Sequence, residues 1–134
     1  MKRHKVLIAD DDPRARDGLI SLLATAPEIE VVGVAANGRE AVQLVEEVHP
    51  DVVLMDIRMP EMDGLEATQI IKKSLPEIVV IVLTIDTAYQ AESLAAGADV
   101  FLVKGSSVET LLKAILNPGE IHRQNNHPPY YPSG

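Results

Sequence analysis

Five short runs of aliphatic residues recur along this chain, and each is followed by a stretch with helical spacing. The runs are Val6-Leu7-Ile8-Ala9, Val31-Val32-Gly33-Val34, Val52-Val53-Leu54-Met55, Ile78 to Leu83, and Val100-Phe101-Leu102-Val103. They are continuous rather than alternating, rich in β-branched residues, and bounded by Asp, Pro, Gly or Asn. Such runs fit strands buried on both faces, as a parallel sheet requires. Between them, apolar residues return every three or four positions: Ala15, Leu19, Leu22 and Leu23; Ala41, Leu44, Val45 and Val48; Ile70, Ile71 and Leu75; Leu94, Ala95 and Ala98; Val108, Leu111, Leu112, Ile115 and Leu116. Pro13 suits a helix start, Pro27 a helix stop, and Asn37-Gly38 a turn into the second helix. Five βα units predict an α/β fold: a doubly wound five-stranded parallel sheet with five helices, packed on both faces by right-handed crossovers.

With 134 residues there is room for one domain. Residues 1–116 are expected to form it. Residues 117–134 are expected to be a linker or disordered tail, because Asn117-Pro118-Gly119 breaks the last helix and Gln124 to Pro132 shows no apolar periodicity. The aromatic share is only 3%, so the core must be aliphatic. Without cysteine, disulfides and thiolate metal sites are excluded. A net charge of −8 argues against a nucleic-acid surface, which needs a basic patch. No apolar stretch is long enough to cross a bilayer or serve as a signal peptide, so a cytoplasmic location is expected.

The chemistry is suggested by where polar residues fall. Asp10-Asp11-Asp12 follows the first strand, Asp56 follows the third, Thr84 ends the fourth and Lys104 ends the fifth. In a doubly wound sheet, ligands bind at the C-terminal edge, near the point where strand order reverses. If strands one and three are neighbours, Asp56 lies close to the acidic triplet. Two carboxylates about 4 Å apart repel by roughly 4 kcal/mol at an effective dielectric near 20. A divalent cation and the Lys104 ammonium are two ways to offset that. An oxygen-only ligand set with open positions suits Mg²⁺. An aspartate beside Mg²⁺, a lysine and a hydroxyl is arranged to take a phosphoryl group onto its own carboxylate. Singly, each feature has a blander explanation: a solvated acidic loop, a helix cap, a β-forming threonine, a surface lysine. Four of them at four strand ends of one sheet are harder to dismiss.

Taken in order, Val6 to Pro13, Val52 to Gly64 (which contains Leu54-Met55-Asp56-Ile57-Arg58-Met59-Pro60-Glu61-Met62-Asp63-Gly64), Val82-Leu83-Thr84 and Phe101 to Gly105 resemble the receiver domains of bacterial response regulators, most closely the NarL/FixJ subfamily, over about residues 4–116. The resemblance implies a flavodoxin-like fold with strand order 2-1-3-4-5. It implies that Asp56 accepts a phosphoryl group from a sensor histidine kinase with Mg²⁺ as cofactor, and that the chain is not otherwise an enzyme. Asp11 and Asp56 would bind the metal directly, Asp10 mainly through water, and Arg58 through its backbone carbonyl. Asp12 is expected to be a peripheral charge. Thr84 and Lys104 would contact the phosphoryl oxygens. Thr84 and Phe101 would be the switch residues that alter the face formed by helix four, strand five and helix five. Gly64 would close the loop after Pro60 and open the third helix.

Homodimerisation is expected from the same resemblance, with DNA reached only through an effector domain for which no helix-turn-helix segment fits after Asn117. Two departures bear on this. Ile85 stands where a small residue usually borders the site, and the Thr84–Lys104 segment is about two residues shorter than usual, around Asp86-Thr87. They keep open an alternative, a receiver that no longer takes phosphate and acts as a protein-interaction module. A phosphohydrolase of the haloacid-dehalogenase type is a poorer match, because its aspartate pair follows the first strand. Arg58 and Asp86 flank the path of an attacking water; Asp86 is expected to orient that water and Arg58 to shield the phosphoryl group.

Overall fold

The computed structural model describes residues 2–125. Five strands, β1 (His4–Ala9), β2 (Ile29–Ala35), β3 (Val52–Met55), β4 (Val79–Thr84) and β5 (Val100–Val103), pair in parallel in the order β2-β1-β3-β4-β5. The helices are α1 (Pro13–Leu23), α2 (Gly38–Val48), α3 (Gly64–Ser74), α4 (Gln90–Ala95), α5 (Val108–Leu116) and α6 (Pro118–Asn125), with a 3-10 turn at Thr87–Tyr89.

Strand residues alternate between two apolar layers. Leu7, Ala9, Val53, Met55, Val80, Val82 and Phe101 face Ala41, Val45, Ala67 and Ile71 of α2 and α3. Their neighbours Val6, Ile8, Val52, Leu54, Ile81, Leu83, Val100 and Leu102 face Leu23, Leu111, Ala114 and Ile115 of α1 and α5. This period of two explains why the central runs are apolar throughout: both faces of the sheet are covered. β2, an edge strand, departs from the expected two-sided burial, with Val34 exposed on its outer face.

Local chemistry sets the helix starts. Asp12, Asn37, Asp63 and Ser107 each accept a hydrogen bond from a backbone N–H of the first turn that follows. Pro13 opens α1 as expected. In α2 the first-turn Glu40 also reaches back to the Ala36 N–H (2.8 Å), a reciprocal cap.

Two expectations are corrected. Among the described residues there are six α-helices rather than five, the sixth being Pro118–Asn125 in the segment read as linker or tail from Asn117. Asn117 does end α5, but Pro118 starts a new helix, a position where the missing N–H costs nothing. Ile121 then enters the α1/α5 layer at 6% exposure. One apolar residue in eight gives no periodicity, so the sequence carried no signal for α6. The residues beyond Asn125, also read as tail, lie outside the described range. α4 is the second correction: it is a short helix whose buried side chain is Ser93, while Ala95 is exposed and Ala98 falls beyond the helix. Among the described residues no helix is long and apolar enough to cross a membrane.

Candidate functional site

Parallel register brings the polar strand ends to one edge of the sheet. Ala9 pairs with Met55, and Thr84 pairs with Val103. The next residues are tied by backbone bonds: the Asp56 N–H donates to the Ala9 carbonyl (2.9 Å), and the Lys104 N–H donates to the Thr84 carbonyl (2.7 Å). Asp10, Asp11, Asp12, Asp56, Thr84 and Lys104 therefore line one cleft of about 350 Å³, together with Arg58, Ile85 and Asp86.

Oxygens of Asp10, Asp11 and Asp56 lie within 4.8 Å of one another. The Lys104 Nζ donates to Asp10 Oδ2 at 2.7 Å and stands 3.6 Å from Asp56 Oδ2. Asp10 is the most buried of the group, at 2% exposure, and each of its acceptors is engaged. Oδ1 accepts the Asp12 N–H (2.9 Å), Oδ2 accepts Lys104, and its carbonyl accepts Arg16 Nη1 (2.7 Å). Asp56 Oδ1 accepts the Ile57 N–H (2.9 Å), which leaves Oδ2 toward the cleft. Asp11 is exposed.

Electrostatically the cluster is short of positive charge: one ammonium faces three carboxylates. Burial pushes the Asp56 carboxyl above its ordinary 3.8. The Lys104 charge opposes that rise, Asp10 adds to it, the Ile57 N–H opposes it, and Asp11 adds a little more. At Lys104 burial works against the charged form, but the hydrogen bond to Asp10 and the charges of Asp56 and Asp10 outweigh it, so its pKa is raised. The donor set, carboxylate oxygens alone with one of them exposed, fits a hard cation such as Mg²⁺.

Close packing holds Asp56 in place. Gly64, the first residue of α3, donates its N–H to the Ile57 carbonyl (2.7 Å). A Cβ at Gly64 would collide with the Asp56 carbonyl oxygen, so only glycine lets the helix start this close to the strand end. Between them the chain makes a tight turn at Glu61, where φ is +66° and the Met62 N–H reaches the Pro60 carbonyl at 2.7 Å.

The expected site residues are thus gathered, with differences in detail. Asp12 sits at the rim, outside the acidic cluster as expected, and also caps α1 (Arg14 N–H, 3.0 Å). Thr84 is buried at the cleft wall, with the Asp86 N–H 3.4 Å from its hydroxyl. Ile85 lines the mouth but points outward, at 79% exposure, so its bulk does not fill the cleft. Phe101 is buried in the α2/α3 layer, against which Tyr89 also packs. Asp86 Oδ1 accepts the Ala88 N–H (2.9 Å), and its Oδ2 lies 3.7 Å from Arg58. Two contributors escaped the sequence reading. Arg16 pins Asp10 from α1, and Tyr89 lies under the Arg58 guanidinium, 5.9 Å from ring centre to Cζ. Neither has a local signal, since both act across loops.

Comparison with known proteins agrees with this fold. A family profile described as the response regulator receiver domain matches residues 6–116. The transcriptional regulatory protein LnrK of Bacillus subtilis is 45% identical over 114 residues, covering 84% of this chain and 52% of LnrK. The response regulator protein VraR of Staphylococcus aureus is 43% identical over 113 residues, covering 83% and 54%. The chain therefore spans about half the length of these relatives. A crystal structure of a LuxR-family two-component response regulator from Aurantimonas sp. SI85-9A1 superposes with a TM-score of 0.83 at 30% identity, covering 89% of this chain and 86% of that one.

Proposed function

The chain belongs to the response regulator receiver domain family, and from that premise we propose that it accepts a phosphoryl group on Asp56 from a sensor histidine kinase, in a Mg²⁺-dependent reaction that switches its α4-β5-α5 face. The observation that carries the reading is the cleft itself: three carboxylate oxygens within 4.8 Å, with Lys104 3.6 Å from Asp56.

In the proposed reaction an Asp56 carboxylate oxygen attacks the phosphorus of phosphohistidine. The P–N bond breaks, the imidazole leaves with its electron pair and takes a proton, and a mixed acyl phosphate remains. Asp56 Oδ2 is the better nucleophile, because Oδ1 is held by the Ile57 N–H. Asp11 and Asp56, with the Arg58 backbone carbonyl, would hold Mg²⁺, which when bound neutralises charge on the transferring group. Asp10, whose side-chain oxygens are already engaged, acts through water. Lys104 and the Thr84 hydroxyl then bond the phosphoryl oxygens.

The switch is a population shift. Thr84 is drawn toward the phosphoryl group, and Phe101 of β5, which begins buried in the α2/α3 layer, follows into the space it leaves. Moving the equilibrium from 1:99 to 99:1 needs about 5.5 kcal/mol. Charge-assisted hydrogen bonds worth roughly 1.5–3 kcal/mol each supply that between Lys104, Thr84 and backbone donors. LnrK is named a transcriptional regulatory protein, and an output of the same kind is proposed here, reached through a separate effector domain.

The test is direct. Acetyl phosphate with Mg²⁺ should add one phosphoryl mass to the intact chain, and neither Asp56→Asn nor the chain in EDTA should gain it. No mass gain in the unaltered chain would leave only the interaction-module reading.

A further inference from the structure

At the cleft mouth three side chains form a connection that the phosphoryl-accepting groups do not use. Arg58, two residues beyond Asp56, reaches across to the junction between β4 and α4. Its Nη2 lies 3.7 Å from Asp86 Oδ2, and its Cζ lies 5.9 Å from the centre of the Tyr89 ring. Asp86 also accepts the Ala88 N–H (2.9 Å), which caps the 3-10 turn leading into α4. Tyr89 packs against the apolar layer that contains Phe101, and its carbonyl accepts the buried Ser93 hydroxyl (2.7 Å). One guanidinium thus ties the loop after β3 to the start of α4.

We propose that Arg58 is a two-position residue: Asp86 and Tyr89 hold it before phosphorylation, and the phosphoryl group on Asp56 takes it from them afterwards, which frees the start of α4. This rests on Asp56 being the acceptor. The direction of exchange follows from the relative strength of the two partners. The Arg58–Asp86 pair is long, and the side chains are 76% and 41% exposed, so solvent screens it. Asp86 offers one negative charge that is already shared with a backbone N–H. An acyl phosphate offers close to two charges and three acceptor oxygens to a planar fork of donors. Arg58 and Asp56 already line the same cleft, so the move is a side-chain rotation and not a backbone change. Asp86 keeps its cap but loses its lateral tether, and Tyr89 loses the cation above its ring. Arg58 accordingly touches the phosphoryl group itself, and its departure from Asp86 and Tyr89 reports the state of Asp56 to α4.

Beryllofluoride with Mg²⁺, a phosphoryl mimic, serves as the probe on the full chain, with binding followed by fluorine NMR and the Ala88 and Tyr89 amides followed by nitrogen NMR. Asp86→Asn keeps a carbonyl for the cap and removes the charge that holds Arg58. It should tighten binding about threefold, and Arg58→Ala should weaken it about fivefold. In the Arg58→Ala background, Asp86→Asn should change nothing. The Ala88 and Tyr89 amides of the liganded wild type should move toward those of unliganded Asp86→Asn. If Asp86→Asn still tightens binding without Arg58, the effect is a simple field at the cleft and the exchange is wrong. Unchanged affinity in Arg58→Ala would also overturn it. Absence of beryllofluoride binding in the wild type is a different result: it removes the acceptor reading itself, and the exchange with it.

Discussion

Lys104 is bonded to Asp10 rather than to Asp56: its Nζ lies 2.7 Å from Asp10 Oδ2 and 3.6 Å from Asp56 Oδ2. The resting lysine therefore neutralises the most buried carboxylate of the cluster and leaves Asp56 Oδ2 less engaged. When charge accumulates at Asp56, the same ammonium is within reach of it by a small side-chain adjustment.

Removing the lysine should cost stability before it costs chemistry. Lys104→Met strands Asp10, which is 2% exposed, without its cation. Breaking a fully buried pair costs about 3–5 kcal/mol, and the lysine is a quarter exposed, so about 2–3 kcal/mol is expected by urea denaturation. Asp10→Asn combined with Lys104→Met should recover more than half of that loss.

A divalent cation should stabilise the fold. At a Mg²⁺ concentration 100 times its dissociation constant, binding to the native state alone adds about 2.7 kcal/mol. The melting temperature should rise with MgCl₂ and return on adding EDTA. Asp11→Asn should shift the titration to higher concentration; an unshifted curve would place the metal elsewhere.

The pH dependence has a defined sign. Burial, aided by Asp10 and Asp11, holds the folded-state Asp56 carboxyl above its ordinary 3.8, so ionised Asp56 opposes folding. That penalty is absent below the ordinary value and complete once pH exceeds the raised one. Without metal, Asp56→Asn should therefore melt several degrees higher at neutral pH, and the advantage should close below about pH 3. Lys104, raised in the folded state, contributes stability below its ordinary 10.5 that is lost only as pH climbs through the folded value.

Two glycines should respond in opposite directions. Gly64→Ala drives a methyl into the Asp56 carbonyl and should destabilise by roughly 3 kcal/mol or more while displacing the acceptor. Gly18 lies within α1 with nothing within 4 Å of an added Cβ. Gly18→Ala should stabilise by about 0.5–1 kcal/mol, because the unfolded chain loses freedom that a helix does not need. Chemical denaturation of both variants checks the pair.

The last helix should belong to the cooperative domain. Ile121→Ala empties a position that is 6% exposed and should cost about 2–4 kcal/mol if α6 unfolds with the domain. Hydrogen exchange would then show early loss of protection over residues 118–125. A change below about 0.5 kcal/mol would mean that α6 contributes nothing to the folded domain.

The sequence alone determined the βα alternation, because a strand buried on both faces must be apolar throughout and a helix on one face must repeat near 3.6. Val52–Met55 and Val100–Val103 were bounded correctly for that reason. It also determined which residues stand at strand ends, and hence that Asp10, Asp11, Asp56, Thr84 and Lys104 share one edge. The helix start at Pro13 was legible because that signal is local, and the start at Gly64 came from the family resemblance. Only tertiary structure decided what depends on contacts far along the chain. The choice of Asp10 as the lysine's partner, the outward turn of Ile85, and the Arg58–Asp86–Tyr89 connection are set by distances between loops that no local pattern encodes. α6 belongs to the same group: Ile121 enters the α1/α5 layer and Glu120 pairs with Lys113, contacts that leave no apolar period in the sequence.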